Sequence, residues 1–382
     1  MSPHPYRRFI AIFLCSALCL SILVIVFNWI VDPYQIHQSP AIEGFNQIKV
    51  ETENHNRLHK ALEIAHQKPK AILLGSSRVM GGFNPEDLTA ITHEYAYNGG
   101  MGGASFEEVY HYFMHALYHQ PELKTVLIGI DGFGFNRYKE IQKDCILGRL
   151  SMPGLIWKDI TTSLFSRAAL YSSYNTIRQN QNQADFIFFP HGQYNPALLN
   201  NPSRNEIRAR GDIQFVKAMF CSVDSYRNYE VDEKKVELFK NIVNTCQEKG
   251  IDLHVFISPP KALYWEALSR RGLGPQIEKL KEQLCAIYPI WDFSGYNSIT
   301  MQMDETESTP YYFECSHFTP YVGKMILRKL FNQTGMPTDF GQYLTPATLA
   351  QCQETYQKQR AVWVMQNPEV IQELTTALST IP

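Results

Sequence analysis

The chain has 382 residues, roughly two to three times the usual ~100–200 of a domain, so one large or two modest domains fit it. Its 35 Lys and Arg against 37 Asp and Glu leave a formal charge of −2, which argues against a nucleic-acid binder with its basic excess. Hydrophobic residues at 45% and charged ones at 19% supply a full core and exclude global disorder and low-complexity readings.

The first element is an apolar run from Phe9 to Phe27 without charge or proline. It has about the ~20 residues that a spanning helix needs. Arg7 and Arg8 precede it and the next Lys or Arg is Lys49, an asymmetry that predicts a cytoplasmic N-terminus with the rest across the membrane. Trp29 and Tyr34 stand where interfacial aromatics belong. A cleaved signal peptide would have a shorter apolar run and a small-x-small site, and the stretch Asn28 to Pro33 offers none. The expected division is therefore an anchor over 1–34 and an extracytoplasmic domain, periplasmic or at the cell surface, over 35–382. Six cysteines lie outside the anchor, with no CxxC pair, and leave bridges and buried thiols both open.

Beyond residue 54 short apolar runs alternate with segments of helical period. Residues 55–67 read as a helix, Ala71 to Leu74 as a buried strand, and Asn84-Pro85 as a helix start. Tyr95 to Tyr97 is a short strand, and Ser105 with Glu108 forms a capping box opening a helix over 106–119. Thr125 to Ile130 is a further strand. The segment 137–230 interrupts the rhythm and reads as a mostly helical insertion, held by the apolar cluster Phe186 to Phe189. The alternation resumes with a helix over 232–249, a strand over 253–257, a helix over 275–286, a strand over 290–293 and a helix over 321–332. Such alternation predicts an α/β fold, a mainly parallel sheet covered on both faces, with ligands bound beyond the carboxyl ends of its strands.

Polar motifs fall at those strand ends. Gly75-Ser76-Ser77-Arg78 follows the first strand, Asn98 to Ser105 with its glycines follows the second, and Gly129 to Asn136, containing Asp131, follows the third. Much later comes Glu314-Cys315-Ser316-His317, a carboxylate three residues before a histidine. His111, His115 and His119 share one predicted helix face, as His55 and His59 do, and both sets read as solvated faces, not metal ligands. No P-loop, dinucleotide fingerprint or EF-hand pattern occurs, so neither cofactor nor metal is expected.

The order and placement of these motifs resemble the SGNH/GDSL hydrolase superfamily over about residues 70–135 and 251–330. With the N-terminal anchor and Asp32-Pro33-Tyr34, the chain is most similar to its membrane-anchored branch, that of alginate O-acetylation and D-alanyl-lipoteichoic acid biosynthesis. The resemblance implies a three-layer sandwich in which Ser77 is the nucleophile, His317 the base and Glu314 its orienting partner. It also implies backbone N–H groups at Ser77 and Gly103 as the oxyanion hole. Glu314 stands where the family has Asp. Asp131 falls about where the family's Asn assists the oxyanion, and a carboxylate there would oppose the developing charge. The implied activity is that of a serine acyltransferase or esterase on an O-acylated cell-envelope glycan, served by a membrane-bound acyl-donating partner. A non-catalytic envelope-assembly or glycan-binding protein on the same fold is the alternative.

Overall fold

The computed structural model describes residues 4–151, 157–199, 211–302 and 311–381. They group into two compact units, one of residues 1–62 with 151–188, the other of 63–150 with 189–382. The segment 137–230 is thus shared between the units.

The first unit is built on the N-terminal helix, His4–Val31. Its stretch Tyr6–Val31 is long and apolar enough to cross a membrane. In its last turn Asn28 and Val31 are buried, while Trp29 and Ile30 stay exposed. Asn28 donates to the carbonyl of Leu164 at 2.9 Å and accepts from Ser173 at 2.8 Å, which fixes the helix to the pair Trp157–Leu164 and Arg167–Gln181. Asp32 then takes a left-handed backbone, and its carboxylate accepts the N–H groups of Ile36 and His37 at 2.8 and 3.0 Å. Such a local carboxylate-to-backbone turn suits Asp. His59 is buried with its ring stacked on Phe188 at 4.9 Å, so the apolar cluster 186–189 packs here through Phe188, and His59 is no solvated face.

The second unit is α/β around one mostly parallel sheet of six strands: β1 (Ala71–Leu74), β2 (Ala96–Asn98), β3 (Thr125–Ile130), β4 (Asp252–Ile257), β5 (Ile290–Asp292) and β6 (Gln342–Leu344). The order is β2-β1-β3-β4-β5-β6, with β6 alone antiparallel. Buried runs such as Thr125–Ile130, apolar and without alternation, form such strands because both faces are covered. On one face Leu73, Leu127 and Phe256 join Val79, Phe83, Leu88, Phe318, Val322 and Ile326 in a single core cluster. The chain leaves β1 toward β2 in one direction and returns past β1 to β3 in the other. The carboxyl ends of β1 and β3 are therefore the switch point, the place where such sheets bind ligands.

The helix Phe106–His119 opens with the expected capping box, both of its hydrogen bonds being made. Its histidines do not form a solvated face. His115 is buried, its Nδ1 at 3.0 Å from the carbonyl of Leu150, because that side of the helix packs inward. Cys246, Cys285 and Cys315 are buried thiols, and burial pushes Cys246 up to about 12.

Candidate active site

Ser77 lies three residues beyond the end of β1, at the first position of the helix Ser77–Gly82. Ser76 caps that helix, its Oγ accepting the Arg78 N–H at 3.1 Å. The Ser77 N–H belongs to the donors that a helix start leaves without intrahelical partners. At the other end Asn98, the last residue of β2, donates its side-chain amide to the carbonyls of Val79 and Phe83 at 2.9 and 3.0 Å. The helix that Ser77 opens is thus capped by Ser76 and pinned at its end by the neighbouring strand.

The histidine arrives on a tight hairpin. Tyr312 and Phe318 bridge antiparallel, Phe313 N–H donates to the His317 carbonyl at 2.9 Å, and Thr319 N–H to the Tyr311 carbonyl at 2.9 Å. Pro320 then starts the helix Pro320–Leu330, a first-turn position that needs no N–H. That helix approaches the helix Ser77–Gly82 backbone to backbone. A Cβ on Gly323 would fall 1.9 Å from the Gly82 carbonyl oxygen, so only glycine permits this contact. The approach carries His317 to Ser77.

His317 Nε2 lies 2.7 Å from Ser77 Oγ, and His317 Nδ1 is hydrogen-bonded to Glu314 Oε1. The same carboxylate accepts the N–H of His317 at 3.0 Å and, through Oε2, that of Ser316 at 2.8 Å. Glu314 and His317 are buried, whereas Ser77 is partly open to solvent. The three residues picked from the sequence as nucleophile, base and orienter therefore form one hydrogen-bonded chain. A serine on an imidazole that is itself held by a carboxylate is the arrangement that activates a hydroxyl.

Asp131, expected at the oxyanion position, has both oxygens engaged elsewhere. Oδ1 pairs with Arg78 at 2.6 Å and Oδ2 accepts from Ser76 Oγ. Arg78 reaches on to Ser316, its Nε and a terminal nitrogen donating to that hydroxyl at 3.1 and 2.9 Å. Burial alone would weaken the Arg78 charge, but Asp131 beside it, with the phenols of Tyr264 and Tyr226, raises its pKa above the ordinary value. One buried guanidinium beside Ser77 thereby links Asp131 at the end of β3 to Ser316 beside His317. Nothing local in the sequence announces the role of Arg78 in this network, beyond a charge placed directly after a buried strand and its turn.

A second buried pair, Lys261 with Asp212 at 2.7 Å, holds the hairpin tip. Asp212 accepts the Cys315 N–H at 2.7 Å, and the Lys261 N–H donates to the Cys315 carbonyl at 2.7 Å. Nothing local in the sequence marks either residue. Burial, with Asp212 and Glu314 near, pushes the Cys315 thiol well above its usual range, which keeps it protonated.

Gly103 lies on the loop after β2 with φ +57°, a left-handed backbone that favours glycine. That loop is tied to the nucleophile turn by the Met101 N–H, which donates to the Gly75 carbonyl at 3.0 Å. No family model and no curated protein matches the chain.

Proposed function

We propose that the protein is a membrane-anchored serine acyltransferase or esterase acting on an O-acylated cell-envelope glycan. The observation that carries this reading is the buried Glu314–His317 pair with Ser77 Oγ 2.7 Å from His317 Nε2 at the sheet's switch point. Ser77 attacks the acyl carbonyl while His317 Nε2 takes the hydroxyl proton, and Glu314 holds the imidazole by its other nitrogen. The carbonyl oxygen becomes an oxyanion that the N–H groups of Ser77 and Gly103 receive. Collapse expels the sugar hydroxyl, which takes the proton from His317 and leaves an acylated Ser77. Water or a second sugar hydroxyl then gives its proton to His317 and attacks the acyl carbonyl; collapse breaks the Ser77 Oγ–acyl bond, releases the acid or the new ester, and returns the proton to Ser77 Oγ.

The strand order β2-β1-β3-β4-β5, with the nucleophile after β1, supports an SGNH-like three-layer fold. Envelope glycans and a membrane-bound acyl donor rest on the resemblance to the membrane-anchored branch, and the apolar helix at the N-terminus supports that placement. Incubation of the full-length protein in detergent with an O-acetylated glycan tests the reading. Acyl release or transfer that Ser77→Ala abolishes is the expected result. A folded protein that processes neither the glycan nor a small aryl ester would overturn it in favour of a non-catalytic role.

A further inference from the structure

The first unit carries a groove that the serine chemistry does not use. It has a volume of about 470 Å³ and runs between Leu20, Ser21 and Val24 of the N-terminal helix and Phe165, Ser166, Arg167 and Leu170 of the helix pair beside it. Its wall belongs to the apolar stretch itself. At ~1.5 Å per residue, Leu20 to Val24 lie about 5–10 Å inside the end of the charge-free run at Phe27. In a bilayer that depth is the upper hydrocarbon of the outer leaflet, so the medium that meets this groove is lipid.

Two further features point the same way. The helix pair exposes aromatics that a water-facing surface would not favour: Trp157 is 80% exposed, Tyr171 71%, Tyr174 61% and Phe165 56%. Trp and Tyr collect where headgroups meet hydrocarbon. Arg167, on the groove's rim, is a long side chain that can keep its stem in the apolar layer and its guanidinium at headgroup level. A guanidinium there matches a phosphate.

We propose that this groove binds one glycerophospholipid of the outer leaflet, an acyl chain lying between the membrane helix and Leu170 and the phosphate meeting Arg167. The helix pair then acts as a second membrane contact that sets the height and tilt of the anchor's outer end. The inference rests on the membrane-anchor part of the proposed function and on none of the chemistry at Ser77, so either can fail alone.

Native mass spectrometry of the full-length protein, released into detergent from nanodiscs, tests it. Nanodiscs containing phosphatidylglycerol, phosphatidylcholine or added diacylglycerol are compared. Retention of one phospholipid per chain, of either headgroup, about tenfold above diacylglycerol is expected from one arginine–phosphate contact. Filling the groove by Leu170→Trp or, separately, by Ser21→Phe should remove the retained lipid, with helicity and melting temperature unchanged. Arg167→Gln should lower phospholipid retention to the diacylglycerol level. Retention that ignores the filling substitutions would mark it as ordinary annular lipid and overturn the proposal. Equal retention of diacylglycerol, displacement by inorganic phosphate, or a lipid-free dimer joined through this face would overturn it too.

Discussion

Replacing Arg78 by Met removes the centre of the buried network while keeping most of the side-chain volume. The Arg78–Asp131 pair is 2.6 Å long and both side chains are 3% exposed, so among the described residues the orphaned Asp131 carboxylate would keep Ser76 alone as a side-chain partner. Breaking a buried pair from one side costs about 3–5 kcal/mol. At roughly 1–2 °C per kcal/mol for a chain this long, the melting temperature should fall by on the order of 5 °C. Asp131→Asn strands the guanidinium instead and should cost a similar amount. The double variant removes both charges and should recover about 2 kcal/mol or more relative to the sum of the singles. Urea unfolding of the four full-length proteins in detergent measures this cycle, and the rate at which a fluorophosphonate labels Ser77 follows the site in parallel. Both single variants should label slowly, because Arg78 also holds Ser316 beside His317. Single variants that each cost under ~1 kcal/mol and simply add would refute the reasoning.

Gly323→Ala places a Cβ 1.9 Å from the Gly82 carbonyl and should cost about 1–3 kcal/mol as overpacking, while slowing Ser77 labelling; unchanged stability and labelling would contradict that contact. Ser76→Ala removes a helix cap and a bond to Asp131, so it should cost about 1 kcal/mol and slow labelling without abolishing it, as judged by the same assays. Burial and the neighbouring Lys60 lower His59 to about 3, below the ~6.5 of the unfolded chain. Between those values the unfolded state binds a proton that the folded state refuses, so stability is present above ~6.5 and is lost as pH falls, by up to ~1.4 kcal/mol per unit. In His59→Phe the melting temperature should depend less on pH across that window, and an unaltered slope would tell against this account. A reporter active only in the cytoplasm, fused after residue 382, should stay silent; activity would reverse the orientation drawn from Arg7 and Arg8.

Much of the second unit was legible because its signals are local. β1 and β3 are short, buried, almost wholly apolar runs, and Asn84, Ser105 and Asp232 each start a helix by a side-chain cap within their own turn. Ser77, Glu314 and His317 could be picked because a strand end and a four-residue motif carry them. What stayed hidden depends on distant partners. Arg78 acquires its role from Asp131 and Ser316, 53 and 238 residues away, and Lys261 from Asp212. β6 is three residues long and pairs antiparallel at the sheet edge, too little for a periodic signal. The helix Leu349–Gln366 buries only Trp363 among its described residues and so has no apolar stripe to read. His115 and His59 were misread because a histidine's burial depends on what packs over it, here Leu150 and Phe188.

The central claim is that Ser77 is an activated nucleophile, and site-resolved fluorophosphonate labelling addresses it most directly. The full-length protein in detergent is labelled over time, digested, and the adduct located by mass spectrometry. The account predicts one adduct, on the peptide bearing Ser77, absent in Ser77→Ala and formed roughly 10²–10⁴ times more slowly in His317→Ala. An unlabelled folded protein, an adduct on another residue, or labelling indifferent to His317 would contradict it.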